Sequence, residues 1–555
     1  MARPPQFELG LSLAGGVSCG AFTAGAIDFI VEALDAWQDA LALNDADAPA
    51  HRVVLRTVMG ASSGALTTAV LGAALPYDIP PVRPGTSYDD ACRNPLFESW
   101  VHMTGLDDLL DTRDAESGSV RSLLDATRLE GAARRAIEFG QRATPRLRRW
   151  LPDPFRVAFS VTNLRGVRYP LMHAGRTATP PQATVHGELL RFALTGLGDG
   201  RHPQTAPRAD EQEVAVGADP AAAWDRWGHG YATAALASAA FPLLLPARPL
   251  QHLATDARTL QIVLRGGACA PDQAVVAVPA GAAAGPRDRA FDGVDGGLID
   301  NDPVDAVRSE LNDRDPLACN PRDGLVSDRA VLQVNPLLGT SATPSGAPWL
   351  PTTLGNALPR LLSTLLNQAH LRMEDLALAT REDVYSRFLI APHAEADPST
   401  ASSRALAGGS LGGLGGYLCR EFRLHDYRLG RRNAQQALAN HLLLPEDNPL
   451  FADWTAAQRA RYAAGDRELP IIPLVGRLHP RHGEEEPLPD WPRGQADPAA
   501  FGPAFDRRLN LVYCHLAPWW ARWLLAPLWH LFVRRRIRNG LVEAMASGLR
   551  QHGLA

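Results

Sequence analysis

An α/β fold built on a mainly parallel sheet is what this sequence predicts, on two observations. A strand, a turn of small residues and an apolar helix follow one another twice near the N-terminus, the opening of a parallel α/β arrangement. Short apolar strand candidates and long helix candidates then recur along the chain. With 46% hydrophobic and 21% charged residues, there is ample material for a buried core.

Residues 7–13 place Phe and three Leu on odd positions before a Gly-Gly turn and read as the first strand. Residues 21–34 read as a largely buried helix, 53–58 as a second strand, and 65 to about 75 as a second apolar helix. Further strands are expected at 155–161, 261–264, 331–334 and 387–390, and long helices at 354–379 and 431–444. Loops or linkers are expected at 77–94, 203–220, 279–285, 337–351, 392–416 and 479–503, where Pro, Gly, Ser or charge accumulate. No repeat of fixed period is evident.

The formal charge of −5, from 60 acidic and 55 basic residues, offers no overall field for nucleic acid. There is no lysine, so every basic residue is arginine, a composition bias that points to no particular site. Six scattered cysteines, none spaced as CxxC, indicate neither a zinc site nor a disulfide framework and fit a reducing compartment. The N-terminus leads into an apolar segment better read as the first strand than as a signal peptide, so a cytoplasmic setting is expected.

Three segments carry chemistry. Gly60-Ala61-Ser62-Ser63-Gly64 fits the G-x-S-x-G nucleophile elbow, a strained turn that lifts a serine hydroxyl above the sheet and points the next helix's N–H groups at it. Spacing selects Ser62 over Ser63. Gly15-Gly16-Val17 follows the first strand and lacks both the G-x-G-x-x-G spacing and a P-loop lysine, so an oxyanion hole suits it better than a nucleotide site. Asp295-Gly296-Gly297 puts a carboxylate beside a tight turn, from which it can reach a serine without an imidazole; Asp292-Gly293 is a decoy of the same kind.

In this order, and with Asn301-Asp302-Pro303 just after the aspartate, these segments resemble the patatin-like phospholipase family. Val161-Thr162-Asn163-Leu164 with Gly166 is similar to the family's strand-end Thr-x-Leu segment, and Ala237-Ser238-Ala239-Ala240-Phe241-Pro242 to its Ala-Ser-x-Ala-x-Pro helix start. The stretch from Gly415 to Asn433 is similar to larger bacterial members. The resemblance implies a three-layer α/β/α sandwich and a Ser–Asp dyad acting on lipid acyl esters with no metal or cofactor. Ser62 is the implied nucleophile, Asp295 the base, and Gly15, Gly16 and Val17 the oxyanion donors, with an acyl-enzyme on Ser62.

Two positions depart from the family. Val17 stands where a third glycine is usual, and a β-branched residue resists positive φ, so a different loop shape is expected. Cys19 replaces a cation and reads as a small buried filler in preference to a reactive thiol. These changes motivate an alternative, a catalytically impaired patatin-fold protein that binds a membrane or partner. A Ser-His-Asp esterase is the other rival, with His370 or His425 as candidates. The arginines around His425 (Arg420, Arg423, Arg428, Arg431, Arg432) read as a solvated face or internal ion pairs more readily than as a lipid-phosphate site.

Residues 511–533 are apolar and aromatic and run straight into Arg534-Arg535-Arg536-Ile537-Arg538. Tryptophan beside arginine suits the headgroup boundary of a bilayer, whereas Pro518, Pro527 and Arg522 argue against a clean span. Packed helices and a peripheral membrane contact over 511–538 are the readings that remain. The wide separation of Ser62 and Asp295 calls for one large core with extensions. The expected division is a catalytic core at 7–335, its continuation at 336–478, and a mostly helical Trp/Arg-rich extension at 479–555.

Overall fold

The computed structural model describes residues 5–117, 120–170, 182–198, 206–217, 219–251, 261–263, 275–277, 290–315, 318–338, 381, 383–394, 405–465 and 467–555. The expected helix at 354–379, with His370, lies outside them, as do most of the loops at 279–285 and 337–351.

The chain opens with β1 (Gln6–Leu13), α1 (Gly20–Ala42), β2 (Arg52–Ala61) and α2 (Ser63–Ala74). Then come α3 (Thr127–Ile137), β3 (Phe155–Pro170), β4 (Gln182–Thr195), β5 (Glu211–Ala215), α4 (Thr233–Ser238), β6 (Arg248–Gln251) and β7 (Ala290–Asp295). After α5 (Val304–Leu311), β8 (Arg329–Val334), β9 (Arg387–Ile390) and α6 (Arg420–Asn440), the chain ends in α7 (Gly502–Leu516), α8 (Trp519–Leu524) and α9 (Arg534–Gln551).

The main sheet runs β9-β8-β1-β2-β3-β4-β5, parallel as far as β3. β4 turns back against β3, while β7 pairs with both β3 and β6 antiparallel. Odd positions of β1 (Phe7, Leu9, Leu11, Leu13) are buried in the core that holds α1, α2 and α6. On the opposite face, Met59, Ala158 and Val331 pack with Val304, Val307 and Leu311 of α5. Helices thus cover both faces of a mostly parallel sheet, the α/β/α sandwich expected, and a helical region follows it.

Several details depart from the sequence expectations. The second long helix starts at Arg420 and stops at Asn440, and residues 443–445 form a short strand with 468–470. Helix 420–440 was obscured in the sequence by buried arginines, which break the apolar period. Residues 261–263 pair with 275–277 outside the main sheet. The acidic stretch at 203–220, read as a loop, contains β5, whose Glu211 is buried against Arg156 Nε at 2.9 Å. Cys319 is disulfide-bonded, against the expectation of free thiols, which removes the cysteine argument for a reducing compartment. Spacing along a chain does not show which sulfurs the fold brings together.

Arg431 of α6 binds the two long helices together. Its guanidinium, fully buried, pairs with Asp28 and, at 2.7 Å, with Glu32 of α1, and at 2.6 Å with Glu486 of the following loop. Removing one partner of such a cluster leaves buried charge uncompensated. Replacement Arg431→Met is therefore expected to lower stability by about 3–5 kcal/mol, read by denaturant unfolding; an unchanged midpoint would show that the cluster contributes nothing.

Candidate active site

Ser62 sits between the last residue of β2 and the first of α2, with φ 52° and ψ −121°. A non-glycine residue in that region costs about 1–3 kcal/mol and is kept only where its surroundings hold it. Here the hold is explicit. The Ser62 N–H donates to Ser238 Oγ at 2.9 Å, and Ser238 in turn donates to the Ser160 carbonyl at 2.6 Å. At Gly64 a Cβ would fall 2.0 Å from the Leu13 carbonyl oxygen, so α2 can approach β1 only with glycine there. The strain, the close approach and the glycine spacing are one structural fact.

Asp295 ends β7, where the antiparallel pairing Val161–Asp295 brings it alongside β3. Its backbone is held from two sides, by Thr162 Oγ1 donating to its carbonyl at 2.8 Å and by its own N–H donating to the Ala240 carbonyl at 3.0 Å. Its Oδ1 accepts the Gly297 N–H at 2.7 Å, and its Oδ2 accepts the Ser62 hydroxyl at 2.9 Å. A Cβ on Gly296 would fall 2.0 Å from the Ser160 carbonyl oxygen, so this turn also needs a bare backbone. Asp292, the decoy, is exposed in mid-strand.

The third segment folds over this pair. The Gly15 N–H donates to the Asn301 carbonyl at 3.1 Å, and Asn301 Nδ2 donates back to the Gly15 carbonyl at 3.3 Å. Of the three expected oxyanion donors, Gly15 is therefore committed to structure. The N–H groups of Gly16 and Val17 have no acceptor among the described residues. Val17 adopts φ 53° despite its β-branch, so the loop takes the left-handed turn that a glycine would take. Such a turn costs an L-residue about 1–2 kcal/mol. Ser18 anchors it: its hydroxyl donates to the Gly413 carbonyl at 2.5 Å and accepts the Gly416 N–H at 2.9 Å. Nothing in the sequence signals this anchor, because its two halves are 395 residues apart.

Ser62, Asp295, Gly297, Asn301 and the turn Gly15-Gly16-Val17 line one cavity of about 700 Å³. Its walls are apolar, with Leu66, Val70, Trp100, Ile137, Leu236 and Leu245 among them, and Asp295 is the only charged residue lining it among the described residues. Burial pushes the Asp295 carboxyl up to about 6, against the opposing hydrogen bonds from Ser62 and Gly297. A carboxylate raised in this way is a better proton acceptor near neutral pH than an exposed one. The buried Ser63 hydroxyl also lines the cavity and has no partner among the described residues.

Other candidates lie elsewhere. No histidine lines the cavity among the described residues, and His425 Nδ1 is 3.0 Å from Asp426 with its ring edge-on to Trp491. The Cys19 thiol is fully buried and held well above its usual pKa, chiefly by burial. Arg423 donates to the carbonyls of Val101, Gly416 and Cys419, and Arg431 lies in its ion-pair cluster. The Ala-Ser-x-Ala segment closes a helix instead of starting one, since α4 ends at Ser238. Its role as the backbone brace of Ser62 depends on that position.

Loss of the brace is measurable. Ser238→Ala takes the acceptor from the buried Ser62 N–H and a donor from the Ser160 carbonyl, and a loss of about 1–3 kcal/mol in denaturant unfolding is expected. Covalent labelling of Ser62 by a fluorophosphonate should slow in parallel, because the elbow relaxes.

The family model described as Patatin-like phospholipase matches residues 11–308. An uncharacterized protein of Sinorhizobium fredii (strain NBRC 101917 / NGR234) is 32% identical over 535 residues, which cover 88% of this chain and 73% of that protein. The chain belongs to the patatin-like phospholipase family, a family of lipid acyl hydrolases.

Proposed function

We propose that this protein is a serine esterase of the phospholipase A or lysophospholipase type, working through a Ser62–Asp295 dyad. The observation that carries the reading is the 2.9 Å hydrogen bond from Ser62 Oγ to Asp295 Oδ2 at an apolar cavity. In the proposed reaction the Ser62 proton passes to Asp295 as Oγ bonds to the ester carbonyl carbon. The N–H groups of Gly16 and Val17 receive the oxyanion, helped by the N-terminus of α2. Collapse breaks the bond to the leaving alcohol, which takes the proton from Asp295. Water, giving a proton to the same carboxylate, then bonds to the acyl carbon; the carbon–Oγ bond breaks, the acid leaves, and Asp295 returns the proton to Ser62 Oγ.

The cavity's chemistry supports a long acyl chain as the buried part of the substrate, since it offers apolar walls and, among the described residues, no cation for a phosphate. The head group would then remain outside. We further infer that the ester is drawn from a lipid surface, with residues 511–538 making the peripheral contact. The left-handed Val17 supports a working oxyanion loop over the impaired alternative.

Replacement of Ser62 by Ala, or of Asp295 by Asn, should reduce hydrolysis of a fatty-acyl ester by about 10³-fold or more. Activity surviving both changes would overturn the dyad. The pH profile gives an independent check. Below about 6 the Asp295 carboxyl is protonated and cannot accept the Ser62 proton, so kcat/KM should rise with pH through about 6 and then level. A profile flat down to pH 4, where an unperturbed carboxylate is still about half ionised, would contradict a buried base.

A further inference from the structure

The C-terminal helices form a hairpin whose base is packed and whose tip is bare. At the base, Phe501, Phe505, Met545 and Leu549 share one apolar cluster with Leu110, Leu124, Leu411 and Leu418. Arg508 of α7 donates to the carbonyls of Asp111, Ser122 and Leu123 and pairs with Asp114 at 2.6 Å. Asp506 ties the two arms, 2.7 Å from Arg538 and 3.3 Å from Arg534. Higher up, Tyr513 stacks on Trp529 with ring centroids 4.3 Å apart.

Beyond that stack the large apolar side chains point into solvent. Trp519 is 76% exposed, Trp523 82%, Leu524 74% and Phe532 65%. A water-soluble surface does not ordinarily leave so many large apolar groups together. Between Arg507 and Val542 there is no acidic residue, and Arg535 and Arg536 are exposed with no carboxylate partner among the described residues. Tryptophan and leucine at an exposed tip, bordered by unpaired arginines, match the headgroup boundary of an anionic bilayer in both apolarity and charge. The tip does not span one. α7 ends at Leu516, α8 has six residues, and the helix that runs from Ala526 into α9 meets Arg534, Arg535, Arg536 and Arg538 after only eight residues, where a span needs about 20 apolar ones. The one described helix long and apolar enough to cross a membrane covers Val17–Ala42 and is buried in the core.

We propose that residues 516–537 are a preformed docking element for anionic bilayers, and that the hairpin's base sets the cavity of Ser62 beside the docked surface. The second half follows from the cluster at the base. Leu124 belongs to it and lines the cavity; Leu411 belongs to it and adjoins Gly412 and Leu414, which also line the cavity. Both arms of the hairpin therefore rest on walls of the site. The proposal rests on the lipid-ester reading of that site, and lipid contact by the tip would bring such an ester to the cavity mouth.

The test is sedimentation of the full-length protein with phosphatidylcholine vesicles, with and without phosphatidylglycerol. Wild type is expected to bind the anionic vesicles about tenfold or more tightly than the neutral ones, and Arg535→Gln/Arg536→Gln to lose most of that difference. Trp519→Ser/Trp523→Ser/Phe532→Ser should weaken binding about tenfold or more. That variant should still hydrolyse a short soluble ester at the wild-type rate, which shows that it is folded. Anionic vesicle binding unchanged in the aromatic variant would overturn the proposal. So would a wild-type dimer that ignores vesicles and falls to monomer in the variant, since a second copy would then cover the tip. The Ser62→Ala protein is expected to bind vesicles like wild type. Tip-dependent binding by a wild-type protein that hydrolyses no ester would leave the docking element standing and sink the esterase reading alone.

Discussion

The hydrogen bond between Ser62 Oγ and Asp295 Oδ2 organises more of this molecule than its 2.9 Å length implies. A carboxylate withdrawn from water resists ionisation, and Asp295 is withdrawn almost completely. Opposing that burial is a small number of fixed donors, the Ser62 hydroxyl and the Gly297 N–H. To present those donors the chain brings the ends of β2 and β7, the middle of β3, the close of α4 and the turn after β1 to one place. The parallel pairing of β1 with β2 sets their ends side by side, and the antiparallel pairing of β7 with β3 returns Asp295 to the same level.

The cost of that meeting is borne by the backbone. Ser62 and Val17 both hold positive φ, and each is braced by a serine: Ser238 for the elbow and Ser18 for the turn after β1. The second brace reaches across to the segment at 410–416, itself seated on the C-terminal hairpin through Leu411. A continuous set of packed contacts thus joins the exposed tip of the hairpin to the loop over Ser62. This gives the extension a physical relation to the site that its composition did not reveal.

Legibility in the sequence followed locality. The G-x-S-x-G elbow, the alternation of β1 and the Asp-Gly-Gly turn depend on neighbours in the chain, and each was readable. β5 and the first half of α6 were not, because buried arginines such as Arg156, paired with Glu211, and Arg423, bonded to the carbonyls of Val101 and Gly416, look like surface charge until their partners are known. The commitment of the Gly15 N–H to Asn301 was equally hidden. A glycine-rich turn advertises several donors, and only the fold decides which of them are already spent.

The sequence by itself determined the fold class, the family resemblance and the turns that carry Ser62 and Asp295, since strained turns and close backbone approaches demand particular residues at particular spacings. Tertiary structure alone decided which N–H groups remain free, that Val17 keeps a left-handed turn, that Cys319 is bonded, and that the aromatic tail packs at its base while exposing its tip. Each of these depends on a contact between residues far apart in the chain. Chain spacing carries no information about such contacts until packing brings the partners together.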